Sequence, residues 1–193
     1  MPITINGSGT LTGLSAGGLP DSSITSDDIA NGAVTASKVA AGAVVQVLST
    51  TKTDTQSISS ASYTDITGLS VTITPSSASN KILIHMHVHA AYANIGMIQI
   101  VRGSTAIGIG DAAGSRQVGT VGALNHSGDG NALWPFSMTF LDSPGTTSAT
   151  TYKLQARGES ATNPITINRS VTDANSATGI RTISTITVME IVG

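Results

Sequence analysis

A ten-residue repeat is the feature that most constrains what this chain can fold into. The segment Ile24-Thr-Ser-Asp-Asp-Ile-Ala-Asn-Gly-Ala33 is followed without a gap by Val34-Thr-Ala-Ser-Lys-Val-Ala-Ala-Gly-Ala43. Each unit predicts one helical turn between a capping threonine and a glycine. Because a single turn offers nothing against which its own Ile or Val can pack, those side chains need another unit or another copy of the chain. The repeat therefore predicts an elongated homo-oligomer.

Within the repeat, corresponding residues receive the same predicted role. Thr25 and Thr35 are predicted N-caps, and Gly32 and Gly42 are predicted stops. The branched apolar residues that open and close each turn are predicted to contact other copies of the chain: Ile24, Ile29, Val34 and Val39.

Composition favours a folded β protein with a weakly charged surface. Hydrophobic residues make up 39% of the chain and charged residues 10%, against about a quarter charged in ordinary domains. The abundance of Ile, Val and Thr separates this chain from disordered sequences. Lys and Arg are scattered singly and the net charge is −2, so no basic cluster is available to bind nucleic acid.

Cysteine is absent from the chain, which excludes disulfides and cysteine-based zinc sites. The segment Met1-Pro-Ile-Thr-Ile5 has neither the basic start nor the apolar run of a signal peptide. No segment approaches the roughly twenty apolar residues of a membrane span. We therefore expect synthesis in a reducing cytoplasm, no membrane insertion and no cofactor.

The pattern along the chain predicts three parts. Residues 1–20 read as an attachment arm with a flexible Gly- and Ser-rich joint, 21–43 as the repeat stalk, and 44–193 as a head with a strand-like period of two. The predicted strands are 43–51, 57–67, 69–74, 81–91, 95–102, 133–141, 149–157, 163–169 and 181–192. This pattern predicts an all-β fold, a jelly-roll-like β-sandwich.

The glycine-rich stretch 103–132 breaks this rhythm, and we expect part of it to form strands and much of it to be loop. Long loops on a rigid β scaffold commonly carry recognition. Candidate receptor-binding residues in or beside it are Arg116, His126, Asp129 and Trp134.

Several segments resemble tail-fibre and related virion proteins of bacteriophages, particularly cyanobacterial and marine phages. They are Ile3-Thr-Ile-Asn-Gly-Ser-Gly-Thr10, the repeat 24–43, Gly68-Leu-Ser-Val-Thr-Ile-Thr-Pro-Ser-Ser77 with Ser79-Asn-Lys-Ile-Leu-Ile84, Leu141-Asp-Ser-Pro-Gly-Thr-Thr-Ser-Ala-Thr-Thr-Tyr152 and Ile186-Thr-Val-Met-Glu-Ile191.

The resemblance implies a short homotrimeric tail fibre in the virion, made in the host cytoplasm. Its N-terminal arm would attach to another tail or baseplate protein, and its β head would project outward and bind glycan on the host surface. The resemblance supplies no matched set of functional residues.

The sequence His85-Met-His87-Val-His89 is the chemically most suggestive cluster. In a strand the three imidazoles project from one face while Ile84, Met86 and Val88 face the core. Same-face imidazoles are able to hold a transition metal. The interpretation favoured here is a polar strand face, solvated or at a subunit contact, because no carboxylate lies beside them in sequence. At a subunit contact they would make assembly sensitive to pH.

Aromatic residues are scarce, at 3% of the chain. Trp134 borders the glycine-rich stretch and is a candidate for stacking on a sugar ring. The alternative, which we favour, is that Trp134, Phe136 and Phe140 lie at even spacing in one strand and pack into the core.

No catalytic signature is present, and we expect a non-enzymatic protein. Asp111, Asp129, Asp142 and Glu159 could converge from loops as a glycosidase pair, but the chain is short for a depolymerase. Two alternatives to a receptor-binding fibre remain open. One is a purely structural baseplate adaptor or capsid decoration protein, and the other is a free-standing lectin-like module.

Overall fold

The computed structural model describes residues 24–35, 38–125 and 128–193. Contacts divide the chain into two compact units between Val39 and Ala40, inside the second repeat, whereas the head was predicted from residue 44. The prediction for the arm 1–20 lies outside the described residues. No helix in the described part of the chain has the length and apolar character needed to cross a bilayer.

In the described residues, both repeat units begin with the same backbone hydrogen bond. In the first unit a short 3₁₀ helix, Ser26–Asp28, follows Thr25, and the Asp28 amide donates to the Thr25 carbonyl. In the second unit the Lys38 amide donates to the Thr35 carbonyl at 2.9 Å. The predicted capping threonines therefore start both turns.

Hydrogen bonds and backbone angles also match where each unit ends. The Ala33 amide bonds to the Ala30 carbonyl and the Ala43 amide to the Ala40 carbonyl. Gly32 and Gly42 have φ angles of 78° and 86°, a region that glycine adopts without steric cost. The sequence repeat is thus a repeat of conformation as well.

The described part of the second unit is built from eleven strands in two antiparallel sheets. The strands are β1 (Val44–Lys52), β2 (Gln56–Ile58), β3 (Thr64–Ile73), β4 (Lys81–Tyr92), β5 (Ile95–Arg102), β6 (Thr105–Ile107), β7 (Val121–Leu124), β8 (Trp134–Asp142), β9 (Thr150–Arg157), β10 (Ile165–Ile167) and β11 (Ser184–Ile191).

The first sheet has the order β1-β11-β4-β10-β2, with β8 on the free side of β4, and the second has the order β3-β9-β5-β6, with β7 also pairing β5. The chain changes sheet at most of its connections, so strands that follow one another in sequence usually lie in different layers. The all-β sandwich predicted from sequence is confirmed. Its jelly-roll form stays a prediction.

The core lies between the inner faces of the two sheets. Alternate residues of the central strands fill it because successive side chains of a strand point to opposite faces. In β4 these are Ile82, Ile84, Met86, Val88 and Ala90, all fully buried. Opposite them the second sheet contributes mainly Ile98, Ile100, Tyr152, Leu154 and Ala156.

The strand predictions 57–67 and 69–74 are wrong in their boundaries. The first predicted strand is interrupted after β2, and β3 then runs without interruption through Gly68. Gly68 has a φ of 84° and lies in an irregularity between Asp65 and Ser70. This bulge lets Ile66 and Leu69, three residues apart, both enter the core. A glycine that looked like a strand end is therefore the centre of a bulge.

A buried carboxylate anchors the β3–β4 connection to the last strand. Glu190 is 2% exposed, and its Oε1 accepts hydrogen bonds from the Ser76 amide, the Ser76 hydroxyl and the Asn80 side-chain amide at 2.6–2.7 Å. Burial raises the pKa of this carboxyl, but the hydrogen bonds from Asn80 and Ser76 outweigh burial and leave the pKa below its usual value.

Glu190 should make the stability of the sandwich depend on pH. Because its pKa is lower in the folded state, its contribution is present above the unfolded value of 4.5 and is lost as pH falls through the folded value. We expect the free energy of unfolding to decrease as pH falls below 4.5. Glu190→Gln should make this decrease smaller. Urea titrations at several pH values measure both.

The matched control is Glu159→Gln, which replaces the only other glutamate. It should leave the pH dependence of the unfolding free energy as in the parent chain. If the acid slope of Glu190→Gln equals that of the parent, Glu190 does not supply this stability.

Candidate functional site

The second half of the glycine-rich stretch is bound firmly to the edge of the second sheet. The Thr120 amide donates to the Ile98 carbonyl, and the Ile100 amide donates to the Thr120 hydroxyl, each at 3.0 Å. The Tyr63 hydroxyl donates to the Val118 carbonyl at 2.7 Å. This stretch is therefore not simply loop, since it also contains β6 and β7 and an ordered connection between them.

Close packing requires glycine at one point of this connection. A Cβ on Gly119 would overlap the Tyr63 hydroxyl and lie 3.2 Å from both the Ile98 carbonyl oxygen and Met97 Cε. Glycine is thus needed for the close approach of two backbones rather than for a turn.

The connection and the sheet together form a pocket of about 430 Å³. Its floor is the outer face of β5 and β7, and its rim is the segment of chain that precedes β7. The lining residues are Ile95, Met97, Arg116, Gln117, Gly122, Ala123 and Leu124. Leu124 is 56% exposed, so the floor offers an accessible apolar surface, and pockets of this size accept small ligands such as a sugar.

Hydrogen-bond donors surround this apolar floor. Arg116 is exposed, and its Nη1 donates to the Ala113 carbonyl at 3.2 Å. Arg157 Nη1 donates to the Gln117 side-chain oxygen, and Arg157 Nε donates to the Gly158 carbonyl. The carboxamide of Gln117 is therefore held in place, while most of the Arg116 guanidinium faces solvent. An apolar floor with a cationic rim suits a ligand that has one apolar face and acceptor oxygens.

Asp129 and Trp134, two other predicted receptor-binding residues, do not line this pocket. Asp129 belongs to a turn in which its Oδ1 accepts from the Asn131 amide at 2.8 Å. Trp134 pairs with Ala90 in the first sheet. His126 lies outside the described residues. Of the three candidates that the structure describes, Arg116 lines the pocket.

The interpretation of Trp134 as a core residue is corrected by its position. Phe136 is buried and Phe140 packs partly against the core, but Trp134 is 45% exposed. β8 is the free edge of the first sheet, so even spacing along it does not ensure burial.

The three histidines form a column on the outer face of β4. His85 Nδ1 lies 2.9 Å from the Thr139 hydroxyl, and His87 Nδ1 lies 2.6 Å from the Ser137 hydroxyl. His89 Nδ1 lies 2.9 Å from the Ile183 carbonyl. Burial and the neighbouring histidines lower the pKa of His87. Within the described residues, no group of three or more metal-ligating side chains is arranged to hold an ion.

The predicted trimerisation residues are largely exposed in the single chain. Ile24, Ile29 and Val34 have exposed fractions of 55%, 44% and 58%, and Val39 is half-buried. Exposed branched residues at matching positions of successive units are what the repeat predicts if other copies of the chain cover them.

Sequence reasoning missed most of the pocket. Met97, Gln117, Leu124 and the supporting Tyr63 carry no motif. The available signal was the alternation of Ile95 and Met97 with core residues, which places two apolar side chains on the outer face of a strand.

No model of a known protein family matches this chain, and no curated protein is similar to it.

The pocket rim should depend on Gly119. Gly119→Ala should displace the connection from Tyr63, because the added methyl overlaps the hydroxyl, and we expect a loss of about 1–3 kcal/mol in unfolding free energy. Hydrogen exchange of the Thr120 amide should become faster.

Gly110→Ala is the matched control, since nothing lies within 4 Å of a Cβ at that position. Unchanged exchange at Thr120 in Gly119→Ala would contradict this account of the rim.

Proposed function

We propose that this protein is a non-enzymatic virion appendage of a bacteriophage, a short homotrimeric fibre with a β-sandwich head. The observation that carries the proposal is the repeat, whose two units share their first and last turn hydrogen bonds and leave Ile24, Ile29 and Val34 exposed. The resemblance of the repeat and the head segments to phage fibre proteins supports the choice of a virion. Attachment through residues 1–20 to another tail or baseplate protein belongs to the same proposal.

The pocket on the second sheet supports a receptor-binding role for the head. Its apolar floor of Met97 and Leu124 and its Arg116 rim fit a glycan that presents an apolar ring face and acceptor or acidic groups. A weak site of this kind gains avidity when three copies act together on one cell surface. The same pocket would serve a free-standing lectin, which differs from a fibre head in being monomeric.

Oligomeric state tests the fibre. The mass by light scattering coupled to size exclusion should be three times the 19.4 kDa of one chain. The double variant Ile29→Asp, Val39→Asp should shift this mass towards the monomer, because it places charges among residues that meet across copies. Circular dichroism should show an intact sandwich.

The matched control adds the same two charges at equivalent exposed positions, as Asn31→Asp with Ala41→Asp, and should remain trimeric. A monomeric parent chain would overturn the fibre and favour the lectin-like module.

Glycan binding is tested on arrays and on host cells. Arg116→Ala should reduce binding at least about tenfold, which corresponds to about 1.4 kcal/mol per site. Arg181→Ala, an exposed arginine paired with Asp173 away from the pocket lining, should bind as the parent does. Equal binding by both variants would remove the pocket from the proposal, and a parent trimer that binds no glycan would favour a purely structural component.

A further inference from the structure

The outer face of the first sheet is ordered in rows that cross four strands. The register of β1, β11, β4 and β8 places side chains side by side on this face. One row is apolar and consists of Val47, Met189, Leu83 and Leu141. The next two rows are polar and consist of Ser49, Thr187, His85 and Thr139, and of Thr51, Thr185, His87 and Ser137.

Apolar surface is concentrated at one end of this face. Val47 and Leu141 are 54% and 46% exposed, and Leu83 and Met189 between them are half-buried. Val44, which pairs with Ile191 at the edge of the sheet, is 51% exposed. Neighbouring exposed apolar side chains of this kind mark a surface that another molecule covers.

The face is almost free of charge. Among its described positions the charged side chain is Lys81, in the terminal row beside Ile191. The outer face of the second sheet is different, since it carries Asp65 in contact with Lys153 at 2.9 Å and with Gln155 at 2.7 Å. The two outer faces of one sandwich therefore differ in chemistry, and the second has the character of a surface that faces water.

We propose that the outer face of the first sheet is where copies of this chain pack against one another in the head. The proposal rests on the homotrimer proposed above and deepens it by assigning the contact surface within the sandwich. The second sheet, with its pocket, then faces outward.

Neutral chemistry favours a second copy as the occupant. A face of valine, leucine, hydroxyl and imidazole groups is complementary to itself, because copies can approach without bringing like charges together. A charged partner would find no complementary charge apart from Lys81. The exposed apolar row and the hydroxyl rows can thus meet their counterparts on another copy.

Continuity with the repeat points to the same occupant. The Gly42 amide donates to the Val192 carbonyl, and the Val192 amide donates to the Ala43 carbonyl, at 2.8 and 2.9 Å. The end of the second repeat is therefore fixed to the apolar end of this sheet, where β1 and β11 pair. Copies that meet along the repeat bring these sheet ends together.

The area of this face suits a contact that supplements the contacts made by the repeat. Four strands and five rows, counting the incomplete end rows of Ile191 with Lys81 and of His89 with Pro135, cover about 14 Å by 27 Å, or roughly 400 Å², from the usual strand and residue spacings. One partner in a standard stable interface contributes about 800 Å². The face therefore supplements the contacts of the repeat and does not replace them.

The absence of cysteine from the chain makes single thiols a clean probe. Thr187→Cys places a thiol at the centre of the proposed face, and Thr151→Cys places one at the corresponding point of the second sheet. The positions are matched, because both threonines are half-buried on a central strand and each shares a 2.8 Å hydroxyl pair with its neighbour, Ser49 or Thr72.

The readout is the rate at which each full-length variant reacts with a polyethylene glycol maleimide. We expect Thr187→Cys to react at least about tenfold more slowly than Thr151→Cys. This factor corresponds to a free energy of about 1.4 kcal/mol for opening the contact that covers the thiol. Light scattering on the same samples reports whether the chains are trimeric.

The outcomes separate this proposal from the one on which it rests. Slow reaction of Thr187→Cys in a trimer supports the proposal. Equal rates in a trimer overturn it and leave the fibre intact. Equal rates in a monomer overturn the fibre, and the proposed contact with it.

Because of the histidine column, the same reaction rates should also depend on pH. The groups that face it are uncharged, namely Thr139 and Ser137 on β8 and Thr185 and Thr187 on β11, while Arg181 in the segment before β11 is paired with Asp173. Imidazolium groups on each copy would then repel those on the next, because among the described residues no carboxylate faces the column.

The rate for Thr187→Cys divided by the rate for Thr151→Cys removes the pH dependence that the two thiols share. It should approach one as pH falls from about 8 to 5, and the combined variant His85→Gln, His87→Gln, His89→Gln should keep it constant. A ratio that stays low for the parent histidines at pH 5 would show that the column is not part of the contact and would overturn its place in the proposed face.

Discussion

The register of β4 is the constraint on which the rest of the sandwich depends. This strand pairs with β8 on one side and with β11 and β10 on the other, and its alternate residues from Ile82 to Ala90 lie at the centre of the core. The remaining residues, including the three histidines, project from the outer face. Because side chains alternate with a period of two, a slip of one residue would bury the histidines and expose the core. Core and outer face are therefore fixed by one set of hydrogen bonds.

The period-two pattern made most of this fold predictable. Strands β1, β4, β5, β8 and β9 lie within a residue of their predicted positions, and the same-face projection of His85, His87 and His89 follows directly. The starts and ends of the turns in the repeat were equally predictable, since its threonines and glycines determine the local backbone on their own. These are features in which neighbours in sequence decide the structure.

The predictions that differ from the structure depend on residues distant in sequence. Gly68 is a bulge because β9 offers one residue where β3 has several, and nothing near Gly68 reveals that. Trp134 is exposed because β8 lies at a sheet edge, which is a property of strand order. The pocket needs Tyr63 to reach Val118 across 55 positions of sequence. Local pattern cannot show such pairings.

The bonds between the end of the repeat and Val192 also determine how the head bears load. Chain enters β1 immediately after Ala43, and β1 pairs with β11 from Val44 to Lys52. Ladder hydrogen bonds lie across the strands, so a pull directed along β1 stresses the whole ladder in shear, with many bonds sharing the force. A pull across the strand would instead break them one after another. The head is thus mechanically strongest along the direction of β1.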